Sequence, residues 1–167
     1  MSILITKTEI KNNARRLGNT ITKKHQPDLN DVVMICLLNG GFMFFADLLR
    51  EIDLNIKCDF MRVKSYTGQE QSELQIIKDI ELDLTGKHVY IVDDFFDSGN
   101  TMNAVHERLK SHLPASLTAV TLLKRYRCKR PTYPFIYGVE VKKEWVYGYG
   151  MDNESGYCRN LDAIYKI

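Results

Sequence analysis

Val89-Tyr90-Ile91-Val92-Asp93-Asp94-Phe95-Phe96-Asp97-Ser98-Gly99-Asn100-Thr101-Met102 is the stretch on which the fold turns. Its unbroken apolar start predicts a strand covered on both faces, the habit of parallel strands. Two adjacent acids end it. The small polar turn Ser98 to Thr101 then leads into a helix predicted over Asn103 to His112, where Ala104, Val105 and Leu109 recur at helical spacing until Pro114 stops it. The turn offers hydroxyls and unpaired backbone N–H groups at the positive end of a helix dipole, which suits a phosphate monoester. A nucleoside triphosphate fits poorly, because no GxxxxGK[ST] string exists and Asp93, Asp94 and Asp97 stand where its charge would lie. Adjacent acids can instead accept hydrogen bonds from a vicinal diol, or hold Mg²⁺. A phosphorylated sugar satisfies both halves; the bland alternative is that the three acids only cap turns.

The flanking segments repeat the alternation of strand and helix. Thr6-Lys7-Thr8-Glu9 fits a capping box, and Ile10, Ala14, Leu17 and Ile21 extend an amphipathic helix to about Lys24, with Pro27 as its stop. Val32 to Leu38 is a second buried-type strand, Asn39-Gly40-Gly41 a turn, and Phe42 to Ile52 a helix. Lys57 to Lys64 makes a fair strand, after which Ser65 to Ser72 is polar and loop-like. Leu117 to Leu123, Phe135 to Val141 and Trp145 to Tyr149 complete the strands. The pattern predicts one α/β domain over residues 1–167, with right-handed crossovers and ligands beyond the carboxyl ends of the strands.

Composition bounds the function. Of 167 residues 44% are hydrophobic and 26% charged, the make-up of a globular protein and not of a disordered or disulfide-stapled chain. A net charge of +2 provides no strong field for nucleic acid or acidic membranes. Cys36, Cys58, Cys128 and Cys158 contain no CxxC pair and read as reduced, mostly buried thiols. Without a signal-like start or a run of about 18 apolar residues, the expectation is a soluble cytoplasmic protein. Lys124 to Arg130 packs five basic residues and one aromatic into seven positions, which could bind RNA or form a solvated hairpin.

The acid, turn and helix string resembles the phosphoribosyl-diphosphate signature of type I phosphoribosyltransferases, and the chain is most similar to the hypoxanthine-guanine group from about Asp31 to Leu161. Leu37-Leu38-Asn39-Gly40-Gly41 resembles the family's pyrophosphate loop, for which the resemblance implies a cis Leu38-Asn39 peptide. Arg62-Val63-Lys64-Ser65-Tyr66 resembles the opening of its flexible catalytic loop. Lys124-Arg125 resembles the purine-site lysine strand, Trp145-Val146 the aromatic platform and backbone contact beside it, and Asp152 and Arg159 the late acidic and basic positions. The implied fold is a central parallel sheet flanked by helices, with a small hood from the N- and C-terminal segments. The implied partners are phosphoribosyl diphosphate, a purine base and further copies of the chain in a homodimer or homotetramer, with Mg²⁺ as cofactor.

Roles follow from that resemblance. Ser98, Gly99, Asn100 and Thr101 anchor the 5′-phosphate; Asp93 and Asp94 hold the ribose hydroxyls; Asp97 takes the purine N7 proton as general base. Leu38, Asn39, Gly40 and Arg159 meet the diphosphate, and Asp93 and Asp152 the metal. Ser65 and Tyr66 belong to a closing loop. Trp145 stacks on the base, Val146 contacts it and Lys124 donates to its 6-oxo oxygen, although Trp145 alone also reads as a core aromatic. The chain departs from the family where Asn39 replaces a common lysine, Asp93 a frequent glutamate and Asn100 a frequent basic residue. Seven positions separate Asp152 from Arg159, one more than usual, so that Ser155-Gly156 could loop out. The rivals are a nucleotide-sensing RNA-binding regulator on the same fold and a xanthine- or pyrimidine-directed relative.

Overall fold

The computed structural model describes residues 2–25, 31–65 and 74–167. Six strands form the main sheet in the order β4 (Leu74–Lys78), β3 (Lys57–Ser65), β2 (Val32–Leu38), β5 (His88–Phe96), β6 (Ser116–Arg125), β7 (Phe135–Val141). All neighbours are parallel except β3 and β4. The order reverses between β2 and β5, so their carboxyl ends open a crevice of the kind in which ligands bind. A second, three-stranded sheet pairs β1 (Ser2–Ile5) with β9 (Ile164–Lys166) and β9 with β8 (Val146–Tyr147), so the two ends of the chain build the hood.

Among the described residues three helices connect the strands: α1 (Lys7–Thr22), α2 (Phe42–Arg50) and α3 (Asn100–Lys110). The capping box at the start of α1 is present, with Glu9 N donating to Thr6 Oγ1 at 3.3 Å and Thr6 N donating to Glu9 Oε2 at 2.8 Å. One face of the sheet buries Val32, Met34, Tyr90, Val92 and Val120 beneath α1, α2 and the hood; the other packs Val33, Ile35, Val89 and Ile91 against Met102, Val105 and Leu109 of α3.

Several expectations change in detail. β5 runs on through Asp93 and Asp94 to Phe96, so the acids lie within the strand and not beyond it. The helix after the turn starts at Asn100, three residues earlier than its apolar pattern indicates. Tyr147 belongs to the hood and not to the main sheet. Of the four free cysteines only Cys36 is buried, while Cys58 is exposed. The stop at Pro27, Tyr66 and most of the polar loop lie outside the described residues, as does the side chain of Ser65. Among the described residues no helix is long and apolar enough to cross a membrane.

Candidate active site

The site gathers at the carboxyl ends of β2 and β5. Gly99 is the pivot of the turn into α3: its φ is +85°, and a Cβ there would lie 2.6 Å from the Phe96 ring, so only glycine fits. Ser98 Oγ accepts from Asn100 N at 3.3 Å, and no side chain caps Gly99. Ser98 and Asn100 are exposed and Thr101 partly so, leaving the start of α3 open to an anion. Beside this turn lies a cavity of about 350 Å³ whose lining includes Ser98, Asn100, Asn103, Tyr133, the cations Lys129 and Arg130 and one acid, Glu107. Tyr133 fixes the loop to α3, donating to Asn103 Oδ1 at 2.6 Å and stacking on His106 at 3.8 Å between ring centroids.

Asp93 and Asp94 are partly buried neighbours, and Asp94 N donates to Asp93 Oδ1 at 2.9 Å. Burial raises the proton affinity of both carboxyls; at Asp93 the Asp94 charge adds to it, whereas at Asp94 the Arg159 guanidinium works the other way. Two close acids pushed up by burial present hard oxygen donors to a cation or to hydroxyls. Gly40 fits directly beneath, since a Cβ on it would meet Asp94 Oδ2 at 2.0 Å. Gly150 (φ +98°) lies over Gly40, where its own Cβ would meet the Gly40 carbonyl oxygen at 2.1 Å. The Leu38-Asn39 peptide is cis, with Asn39 exposed.

The hood brings Asp152 and Arg159 to this point. Arg159 Nη2 lies 2.6 Å from Asp152 Oδ2, and its Nη1 donates to the Gly150 carbonyl at 2.6 Å. The segment between them is an exposed turn in which Asn153 Oδ1 accepts from Ser155 N and Tyr157 N. Asp152 and the Asp93–Asp94 pair do not make a close three-carboxylate cage among the described residues. Tyr149 latches the hood to α2 by donating to Asp47 Oδ2 at 2.5 Å.

Asp97 follows β5 with an exposed carboxylate, and its Oδ1 accepts from Arg125 Nε at 2.6 Å. Arg125 also donates through Nη1 to the carbonyls of Lys142 and Glu144, and its guanidinium lies 4.6 Å from the Phe95 ring centroid. It therefore ties the acid to the segment that delivers Trp145. Trp145 is 56% exposed, which excludes the core reading and leaves its face open. Val146 is buried in β8, and the Trp145 carbonyl accepts from Ile167 N at 3.1 Å.

Lys124 pairs with Glu140, and not with Asp97. Its ammonium is buried against Glu140 Oε1 at 2.6 Å and donates to the Arg125 carbonyl at 3.3 Å. Burial opposes the Lys124 charge, but the Glu140 bond outweighs it and holds the proton more tightly than usual. The reason is geometric. Side chains alternate along a strand, but Val120, Leu122 and Leu123 all join the core beneath the hood, so the alternation slips by one and Arg125, not Lys124, faces Phe95 and the hood. The basic run is split accordingly: Lys124 and Arg125 are committed within the fold, while Arg127, Lys129 and Arg130 are exposed. No continuous RNA-binding strip results.

Sequence reasoning missed Arg125, Gly150 and the Lys129–Arg130 flank of the cavity. The doublet Lys124-Arg125 offered two cations of which one was taken, and Gly148-Tyr149-Gly150 was a legible sign of close backbone approach.

Comparisons with known proteins agree with this geometry. The phosphoribosyl transferase domain model matches residues 6–154. The chain is 38% identical to the hypoxanthine phosphoribosyltransferase of Escherichia coli K12, covering all of this chain and 95% of that protein. It is 36% identical to a hypoxanthine-guanine phosphoribosyltransferase of Staphylococcus aureus, covering 97% and 90%. A crystal structure of a hypoxanthine phosphoribosyltransferase from Staphylococcus aureus superposes with a TM-score of 0.91 at 34% identity, covering 99% of this chain and 90% of that one. One of a hypoxanthine-guanine phosphoribosyltransferase from Bacillus anthracis superposes with 0.90 at 30% identity, covering 100% and 98%. By sequence, by fold and by the crevice at the ends of β2 and β5, the chain belongs to the phosphoribosyltransferase family, on its hypoxanthine and hypoxanthine-guanine branch.

Proposed function

We propose that the protein transfers the 5-phosphoribosyl group of phosphoribosyl diphosphate to a 6-oxopurine, hypoxanthine or guanine, releasing diphosphate, in purine salvage. One observation carries this reading: Asp97 stands between the anion turn of α3 on one side and the Arg125-held Trp145 platform on the other. A carboxylate there can reach a base whose ribosyl acceptor nitrogen faces a sugar anchored at Ser98 to Thr101.

In the reaction the bond from C1′ to the diphosphate oxygen breaks as a purine ring nitrogen bonds to C1′, and positive character builds on the ribose. Ser98 to Thr101 anchor the 5′-phosphate and so position the reactive carbon. Lys129 and Arg130, which line the cavity at that turn, supply the charge that Asn100 lacks. Asp93 and Asp94 hold the ribose hydroxyls and favour the developing cation. Asp97 accepts the purine N7 proton. Trp145 stacks on the ring and Val146 borders it.

Arg125 takes the part that sequence reasoning gave to Lys124, donating to the 6-oxo oxygen; an adenine amino group there would leave donors facing donors. The backbone after Leu38, with Asn39 and Gly40, and the Arg159 guanidinium receive the diphosphate. The oxygen donors of Asp93 and Asp152 suit Mg²⁺, which binds through a few carboxylates plus substrate oxygens. When bound it neutralises charge on the diphosphate. Ser65 and Tyr66 open the segment that excludes water. The reading includes a cytoplasmic homodimer or homotetramer.

The test is to incubate the chain with Mg²⁺, phosphoribosyl diphosphate and each of five nucleobases, following nucleotide formation. IMP and GMP are the expected products. Product from uracil alone, or from no base, would overturn the proposal, and XMP as the main product would transfer it to a xanthine-directed enzyme.

A further inference from the structure

The edge of the main sheet opposite the crevice carries a second polar cluster that the transfer reaction does not use. His25 follows α1, Asp31 precedes β2 and His88 opens β5, and one ligand-capable atom from each lies within 4.8 Å of the other two. At ~3.3 Å per strand residue, His88 lies about 20 Å from Asp94, so the cluster is separate from the sugar site. His88 Nε2 is 3.6 Å from Asp31 Oδ2, and the two imidazole centroids are 4.9 Å apart. Asp31 Oδ1 is buried and has no hydrogen-bond partner among the described residues. We propose that His25, Asp31 and His88 form a metal site for a divalent transition ion such as Zn²⁺, clasping the end of α1 to the amino-terminal edge of the sheet.

Three features support a site over a chance grouping. Each imidazole has a polar partner that can set its orientation: His88 Nδ1 lies 2.8 Å from Ser116 Oγ, and His25 Nε2 lies 2.7 Å from the Tyr90 hydroxyl. These hydroxyls stand where metal-binding histidines more often meet a carboxylate, a carbonyl or water, and can fix the ring in the same way. Next, the donor set is two imidazoles and one carboxylate, which suits zinc or its transition-metal neighbours and not Mg²⁺ or Ca²⁺. Finally, a cation resolves the Asp31 oxygen that has no partner among the described residues, a group that is costly to bury alone. In a tetrahedral shell with bonds of about 2.1 Å the donors sit about 3.4 Å apart, so binding draws these side chains together by roughly an ångström.

The test uses the full chain after chelator treatment. One equivalent of Co²⁺ should give visible d–d absorption without a thiolate charge-transfer band, which separates this site from the free cysteines. Zn²⁺ at a hundredfold excess over its Kd should raise the unfolding midpoint by about 5–10 °C. His25→Gln and His88→Gln should each weaken Zn²⁺ binding about 100-fold while leaving phosphoribosyl transfer unchanged. Imidazole NMR of the unaltered chain provides a readout independent of variant folding: Zn²⁺ should shift His25 and His88 and spare His106 and His112. Absence of one-equivalent binding, undiminished binding by both variants, or shifts confined to His106 and His112 would each overturn the proposal.

Discussion

Asp94 and Gly40 touch across the crevice so closely that the glycine hydrogen occupies the only space left: a Cβ would stand 2.0 Å from Oδ2. Gly40→Ala must displace either the carboxylate or the Leu38–Gly41 turn. The expected result is at least a tenfold loss in kcat/KM for phosphoribosyl diphosphate with the purine KM less affected, read by steady-state kinetics with each substrate varied. An unchanged kcat/KM would remove Asp94 from the sugar site.

Asp97→Asn keeps the shape of the side chain and an acceptor for Arg125 but cannot take a proton. A positioned general base contributes about 10²–10⁴-fold, so kcat should fall by that range while phosphoribosyl diphosphate still binds. Single-turnover rates alongside isothermal titration separate the two quantities.

Arg125 and Lys124 should part company under mutation. Arg125→Met removes the guanidinium that holds Asp97 and the Lys142–Glu144 carbonyls, and should raise the purine KM at least tenfold and lower kcat. Lys124→Met removes a partner of Glu140, whose side chain is 37% exposed and can be rehydrated, so the loss is about 0–1 kcal/mol of stability with little change in purine KM. The opposite ranking would return the base-recognising role to Lys124.

Trp145→Ala tests the platform. With 56% of the residue exposed, truncation opens no core cavity and the melting temperature should hold. Lost stacking of about 0.5–1.5 kcal/mol corresponds to a purine KM raised roughly two- to twelvefold.

Asp93 gives a pH signature. Burial first, then the Asp94 charge, raises its proton affinity in the folded chain, so protonation favours folding and ionisation opposes it. Below the ordinary carboxylate pKa of about 4 both states hold the proton and the acid does not destabilise. As pH rises through the higher folded value, stability is lost. Asp93→Asn should therefore melt higher than the unaltered chain at pH 7 to 8, with the difference vanishing near pH 4, as thermal unfolding across pH would show.

The buried strands were legible because Val32 to Leu38 and Val89 to Val92 contain no polar interruption, and the glycine turns after them because the chain must bend there. β1 and β9 were not, since each is short and finds its partner at the far end of the chain, a pairing that no local pattern encodes. β4 is an antiparallel edge strand of mixed polarity with the same weakness. The Glu140 pairing of Lys124 was not legible for a subtler reason. Alternation carried unbroken from Val120 and Leu122 puts position 124 on the hood face, whereas Leu123 turns in beside Leu122 and hands that face to Arg125. Spacing along the sequence does not reveal such a slip.

The hood's pairing of first and last strands sets an order of assembly on the ribosome. The acid pair, Asp97 and the Ser98 to Thr101 turn all lie between Val32 and Arg125, and the main sheet is complete once Val141 has emerged. Trp145 must wait for Ile164 to Lys166 to pair with β8, and for the Ile167 amide that holds its carbonyl. A nascent chain halted before those residues would already carry the acid pair and the turn before α3 yet have no fixed Trp145, so that face of the crevice is the last to form.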